Sequence, residues 1–223
     1  MKKFLFILII LLPLFSFSQE KSKVISQTTV KRVSVGAEIY QDFWLNKPDN
    51  MDGWAINLGA GTYFTYSFPI GSSPLSFALG AGVSWHNLYS DCRILDIKAD
   101  SIFFTPIPDS IDYKKSKIGV TYLDFPLELR LKTNNKIRAS IGVKLSYVMD
   151  AKTKYKGDKL SGYQVIQKEK QISNIDRFQF GPVVRFGYDW FHIVGYFSVT
   201  KLFEKGSGPD LYPISVGITF MPF

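Results

Sequence analysis

The sequence predicts an all-β protein: an eight-stranded antiparallel transmembrane β-barrel of up-and-down order, following a cleaved N-terminal signal peptide. Three observations carry this reading. Apolar residues alternate with small or polar ones in eight segments, the connections between segments are short and long by turns, and the chain begins with an export signal. Successive side chains of a strand point to opposite faces, so sustained alternation marks a sheet with one apolar face. A barrel in lipid turns that face outward and keeps a polar interior.

The export signal comes first along the chain. Met1–Lys3 supplies a positive start and Phe4–Phe17 a nearly unbroken apolar run. Ser16-Phe17-Ser18 then places small residues at the −3 and −1 positions before Gln19, the layout of a secretory signal. The fourteen apolar residues fall short of the about 20 that a spanning helix needs, and no cysteine follows them to carry a lipid anchor. The expected division is a signal peptide over 1–18, a periplasmic N-terminal segment over 19–31 and the barrel over 32–223. The expected location is the outer membrane.

The eight segments follow in order. Val33–Trp44 alternates, and Trp54–Phe68 sets Trp54, Ile56, Leu58, Phe64, Tyr66 and Phe68 against Asn57, Gly59, Gly61, Thr65 and Ser67. From Leu75 the pattern is clearest: Leu75, Phe77, Leu79, Ala81, Val83 and Trp85 oppose Ser76, Ala78, Gly80, Gly82, Ser84 and His86. Lys117–Leu131 sets Leu123, Phe125, Leu127, Leu129 and Leu131 against Tyr122, Asp124, Glu128 and Arg130. Lys136–Met149 sets Ile137, Ile141, Val143, Leu145 and Tyr147 against Arg138, Ser140, Lys144 and Ser146. Ile175–Trp190 sets Phe178, Phe180, Val184, Phe186 and Tyr188 against Arg177, Gln179, Arg185 and Asp189. His192–Phe203 is a strand whose facing the sequence leaves open, and Tyr212–Phe223 alternates through Ile214, Val216, Ile218 and Phe220. These runs are longer than the ~5–6 residues of soluble strands and suffice for a bilayer, which takes ~9–11. A soluble sandwich would need a second sheet over each apolar face.

Pro69–Pro74, Lys132–Asn135 and Phe191 make short connections, whereas Asn87–Ser116 and Asp150–Asn174 are long. Outer-membrane barrels pair tight periplasmic turns with longer external loops, and an even strand number returns both termini to the periplasm. Pro126 and Pro182 fall inside strands, where each removes a ladder hydrogen bond and predicts a bulge or kink. Trp54, Trp85 and Tyr147 at the external ends, with Tyr66, Phe68, Tyr188 and Trp190 at the periplasmic ends, form the expected aromatic girdles.

An eight-stranded barrel is just wide enough for side chains to fill. The inward set by parity includes Arg32, Glu38, Asp42, Asp124, Glu128, Arg130, Arg138, Lys144, Arg177, Arg185 and Asp189. Mixed signs predict an ion-pair network that holds the interior shut, since buried charge is costly unless paired. Inward glycines at 59, 61, 80, 82, 119, 142 and 187 leave room for the long charged chains. A narrow ion path is the functional alternative to this filling.

Composition narrows the function. The 27 basic and 19 acidic residues give a net charge of +8. That basic surplus fits anionic lipid head groups, and no nucleic-acid motif accompanies it, so no nucleic-acid partner is expected. Cys92 is the one cysteine, without a metal spacing, and reads as an unpaired loop thiol. His86 shares a face with Ser84, a pair that invites comparison with outer-membrane lipid hydrolases. No convincing acid is placed at that height, and the face is inward. His192 reads as an exposed turn residue. The sequence therefore predicts no catalytic, cofactor-binding or metal site, a non-enzymatic protein, and no cofactor. The long loops are the expected working surface. Asp91–Lys115 carries Ile94, Leu95, Ile97, Ile102, Phe103, Phe104 and Ile107, which could instead extend the barrel as a hairpin. Thr153–Gln171 and its flank carry Lys152, Lys154, Lys156, Lys159, Lys168 and Lys170, which solvate the loop or meet anionic glycolipid.

Tyr122-Leu123-Asp124-Phe125-Pro126-Leu127-Glu128-Leu129-Arg130 resembles a strand of the PorT-like outer-membrane β-barrel family of Bacteroidetes. Phe178-Gln179-Phe180-Gly181-Pro182, Arg185-Phe186-Gly187-Tyr188 and the ending Tyr212–Phe220 resemble its sixth and final strands. The resemblance implies an eight-stranded barrel, and some relatives serve type IX secretion. It carries over no catalytic residue. The implied partners are outer-membrane lipid and lipopolysaccharide, the barrel-assembly machinery and an envelope or secretion-system protein. Pro222 disturbs alternation, and Phe220 rather than Phe223 keeps the outward parity.

Overall fold

The computed structural model describes residues 32–53, 56–158 and 164–221. Eleven strands lie within them: β1 (Val33–Leu45), β2 (Leu58–Pro69), β3 (Leu75–Tyr89), β4 (Cys92–Ile94), β5 (Phe104–Pro106), β6 (Tyr113–Lys132), β7 (Ile137–Asp158), β8 (Gln164–Lys170), β9 (Phe178–Tyr188), β10 (Phe191–Phe197) and β11 (Tyr212–Phe220). The pairing order is β6-β3-β2-β1-β11-β10-β9-β7-β8, and β6 also pairs with β7. That last pairing closes eight antiparallel strands into a barrel. β8 is left over, attached to the upper part of β7, while β4 and β5 form a separate hairpin. The signal peptide (1–18), the segment 19–31, Trp54, Lys159, Pro222 and Phe223 lie outside the described residues.

The alternation in sequence becomes alternation in exposure. On β1, Val35, Ile39 and Phe43 are exposed, whereas Glu38, Tyr40, Asp42 and Trp44 are buried. On β9, Phe178, Phe180, Val184 and Phe186 are exposed around buried Gln179, Val183 and Arg185. A continuous apolar belt of this extent has no counterpart on a monomer in water; lipid covers it at no such cost. Trp85 and Tyr147 stand outward on the long-loop side of the belt, and Phe68, Tyr188 and Trp190 on the other. Tyr66 is half-buried beside Phe68, with ring centroids 4.8 Å apart.

The three short turns close one end of the barrel, and each contains a residue of positive φ: Gly71 at 58°, Lys136 at 62° and Asp189 at 52°. Tight hairpins demand that conformation, which glycine adopts freely and aspartate tolerates. Asp189 N donates to Lys136 O at 2.8 Å, and Lys136 Nζ sits 3.2 Å from Asp189 Oδ2, so two of the turns are tied together.

Several expectations need correction. Asp189 is this turn residue rather than an inward one, Arg177 is exposed just before β9, and Arg32 precedes β1. Gly119 has outward parity, with Asn87 and Lys152 as its nearest side chains. β10 begins at Phe191 and ends at Phe197. It faces His192, Val194 and Tyr196 inward, so His192 is fully buried rather than exposed. The β9–β10 turn is Asp189-Trp190, not Phe191. β9 starts at Phe178; Ile175, ahead of it, makes an isolated bridge to Phe203. At Pro126 the ladder to β3 lapses between Leu79↔Leu127 and Gly82↔Asp124, while pairing to β7 continues. Pro182 pairs with Val143 and lies where the β9–β10 ladder stops.

The register shift within the barrel wall falls elsewhere. Thr121 pairs with Asp150 but Tyr122 with Val148, so Met149 is an extra residue in β7. A bulge of this kind inverts side-chain parity. Below it Leu145 and Tyr147 face out. Above it Ala151 and Tyr155 are buried, and Lys152, Lys154 and Lys156 alternate with them on the outer face.

Candidate functional site

The interior is stacked in layers. Nearest the short turns, Glu128 accepts from Arg130 Nε at 3.1 Å and pairs through its other oxygen with Arg185 Nη1. Arg185 Nη2 reaches Glu38 Oε2 at 3.2 Å, and its guanidinium lies over the Tyr63 ring at 4.9 Å. Above this, Lys144 pairs with Asp124 at 3.6 Å, Ser146 donates to Asp124 at 2.5 Å, and the Lys144 ammonium sits 4.0 Å from the Tyr196 ring centroid. Glu38, Asp42, Asp124 and Glu128 are buried together with Arg130, Arg138, Lys144 and Arg185. The acids balance the permanent cations among the described residues, so the network is neutral before His86 is counted. Neutrality with short pairings is the condition under which buried charge is tolerated.

The next layer holds the predicted histidine, and here the sequence reading missed a partner. Asp42 lies at the height of His86: Nδ1 donates to the Asp42 carboxylate at 3.0 and 3.1 Å. Nε2 is 3.2 Å from the Tyr40 hydroxyl, which also donates to Ala60 O at 3.0 Å. Ser215 Oγ donates to Asp42 at 2.6 Å. Tyr40 fits because its two cross-strand neighbours are Gly59 and Gly217. A Cβ on Gly59 would stand 2.1 Å from the Tyr40 ring.

A histidine between a carboxylate and a hydroxyl is the arrangement of a general base. Its surroundings point to a structural role. Tyr40, Asp42 and His86 are each at most 3% exposed. No hydrogen bond joins Ser84 to His86, and Ser215 bonds the acid rather than the imidazole. The layer instead cross-links β1, β3 and β11. Among the described residues no group of three His, Cys, Asp or Glu is arranged to hold a metal ion.

The upper third is apolar, and the long connection after β3 fills it. Ile94, Ile97, Ile102 and Phe104 pack with the wall residues Trp44, Leu88, Val120 and Tyr122, and with Leu202, Phe203 and Leu211. Phe104 meets Phe203 edge-on at 6.2 Å. The segment is a lid rather than a free loop or a continuation of the barrel wall. Asp91 N bonds Asp52 O at 3.1 Å, Ile102 N bonds Ser207 O at 2.8 Å, Ser173 N bonds Ile97 O at 2.8 Å, and Asn174 Nδ2 bonds Ala99 O at 2.9 Å. The four long connections thus meet in one cap. Cys92, in β4, is 2% exposed and free; its thiol lies 3.3 Å from Asp91 Oδ1 and Asn50 O. Burial, then the neighbouring Asp91, pushes that thiol up to about 12.

Thr153–Gln171 is no free loop either. β7 continues to Asp158 and pairs with β8, making an arm beyond the barrel wall. Its inner face grips the lid: the Arg93 guanidinium stacks 4.0 Å over Tyr155 and donates to Gln167 Oε1 at 2.7 Å. On top of the cap, an open groove of about 320 Å³ is bounded by Asn50, Ile102, Phe103, Gly206, Gly208 and Pro209. Phe103 is 72% and Leu95 69% exposed, unlike the neighbours that fill the mouth.

A family model described as outer membrane protein beta-barrel domain matches residues 16–204. Two solved structures of Ail, the attachment invasion locus protein of Yersinia pestis, are similar at 12% and 11% identity. Each covers 85% of this chain and 97% of Ail, with TM-scores of 0.42 and 0.38; the second is a complex with the heparin analogue sucrose octasulfate. Comparison with curated proteins gives no match.

Proposed function

The chain belongs to the outer membrane protein beta-barrel domain family, and from that premise we propose that it is a non-conducting, non-enzymatic barrel whose folded cap is an interaction surface serving protein secretion. The observation that carries this is the filled interior: an ion-pair layer, the Tyr40–His86–Asp42 layer and a packed lid lie in series along the barrel axis. Such a stack supports a closed barrel over a pore and over a site that a lipid substrate could approach. Phe103, exposed at the cap groove, and Leu95, exposed elsewhere on the lid, support a protein partner, because large apolar side chains held on a fixed surface supply contact area at small ordering cost. The secretion role, of type IX character, rests on the PorT-like motifs at Tyr122–Arg130 and Phe178–Pro182. Delivery by a Sec-type signal rests on Met1–Ser18. The long-loop end then faces outside.

Two measurements test the reading. Purified protein in planar bilayers is expected to give no steady conductance, and steady unitary channels would convert the assignment to a pore. In a deletion strain, intact protein is expected to restore export of surface proteins. Phe103→Asp is expected not to restore it while keeping the heat-modifiable gel mobility of a folded barrel. Full rescue by that variant would remove the cap as the working surface.

A further inference from the structure

The outer face of the arm carries seven lysines in register. Lys117, Lys154 and Lys168 form one row across β6, β7 and β8, with Tyr89 of β3 opposite Lys117. Lys152 and Lys170 form the row nearer the belt, and Lys115 and Lys156 the row beyond. Four like-charge pairs are therefore directly cross-strand: 117 with 154, 115 with 156, 152 with 170, and 154 with 168. Pairs of this kind destabilise a sheet. The compensation visible within the protein is small. Lys115 and Lys117 lie 5.7 and 5.0 Å from the Tyr89 ring, and Lys117 donates to Asn87 Oδ1 at 2.6 Å. Among the described residues the acids at the margins of this face are Asp150, 3.4 Å from Lys152, and at the tip Asp158 with Asp112 opposite it.

Position adds a second constraint. The lattice points sideways from the barrel wall, not up from the cap. It begins three residues beyond Met149, the last exposed apolar residue of β7. At ~3.3 Å per residue and ~40° of strand tilt, the first row stands roughly 8 Å above the belt. That is the depth of a head-group layer, and lysine stems extend toward such a layer from above.

We propose that this face is a binding site for phosphate groups of anionic lipids in the surrounding leaflet, each group bridging lysines of adjacent strands. The inference rests on the membrane placement of the barrel and gives the like-charge rows counter-charges that the described residues supply only at the margins of the face.

The test uses full-length protein in nanodiscs of zwitterionic lipid and in nanodiscs that also contain phosphatidylglycerol, footprinted with a lysine-acylating reagent and read by mass spectrometry. Labelling of Lys117, Lys154 and Lys168 is expected to fall about fivefold in the anionic discs, from the known attraction per lysine near an anionic surface. Lys47 and Lys205, on other connections, are expected to label alike in both. The variant K117Q/K154Q/K168Q is expected to keep its heat-modifiable mobility and to retain phosphatidylglycerol on the order of 100-fold more weakly. Equal labelling of the three lysines in both discs overturns the proposal, as does undiminished lipid retention by the variant. A soluble sulfated polysaccharide added to zwitterionic discs is the control for source. Protection by it matching that in anionic discs assigns the face to a soluble polyanion and overturns the lipid assignment. Failure to enter either disc overturns the membrane reading and the lattice assignment together.

Discussion

Replacing Glu128 with Gln keeps the volume of the interior and removes one charge from its tightest junction. The carboxylate is 1% exposed and receives two guanidiniums, Arg130 Nε at 3.1 Å and Arg185 Nη1. Arg185 would retain Glu38 at 3.2 Å, but Arg130 would lose the carboxylate at its Nε and rely on contacts such as Ser67 Oγ at 3.3 Å and Met221 Sδ at 3.4 Å. Breaking a buried pair from one side leaves an uncompensated charge and costs about 3–5 kcal/mol. The control is Lys136→Ala, which breaks a pair whose side chains are 56% and 38% exposed and costs about 0–1 kcal/mol. The assay is equilibrium urea unfolding in lipid vesicles, followed by tryptophan fluorescence and by heat-modifiable gel mobility. E128Q should lower stability several-fold more than K136A, and E128Q/R130M should recover part of the loss because the stranded cation goes with the anion. A loss from E128Q no larger than that from K136A would refute the claim that ion pairing holds the interior.

Other perturbations separate the remaining layers. Phe104→Ala removes the lid ring that meets Phe203, and should cost cap docking about 3–5 kcal/mol. Hydrogen exchange should quicken at Ile102 and Ser173, whose amides join the lid to other connections, and stay unchanged in the barrel ladders; uniform acceleration would show that the lid is not a separate unit. His86→Ala should lower stability by about 1–3 kcal/mol by stranding the buried Asp42, while lipid A profiles by mass spectrometry stay unchanged; a shifted profile would revive a hydrolase. Cys92 should resist iodoacetamide at pH 8.5 in the folded protein and react at once in urea. Its raised pKa means that its contribution to stability is complete below the ordinary thiol value of about 8.5 and is lost as pH climbs toward about 12. Cap melting that does not weaken across that window would contradict the sign.

The barrel was readable because each spanning strand meets two solvents at once. Leu127, Leu129, Glu128 and Arg130 sort themselves by parity alone, and eight of the eleven expected inward charges are buried. The three that are not, Arg32, Arg177 and Asp189, sit at strand ends, where turns end the alternation. The acid beside His86 was not readable for a different reason. Asp42 and His86 belong to strands separated by β2, and their relative height depends on two successive registers that no local pattern encodes. The cap was hidden because β4 and β5 are three residues each, too short to show alternation, and Ile97 and Ile102 lie in irregular chain between them. The arm was hidden because Met149 reverses the parity on which the reading depends.

That single residue has a consequence for how such a chain can vary. Below Met149, the odd positions of β7 answer to lipid; above it they answer to the lid. The strand is in effect two sentences joined by a comma, each with its own grammar. At the join itself residues can be gained or lost without repacking only in twos, since an odd change there would carry Lys152, Lys154 and Lys156 into the mouth of the barrel and turn Ala151 and Tyr155 out to water. Length at this site is thus quantised, and the barrel wall can stay constant while the arm is rewritten.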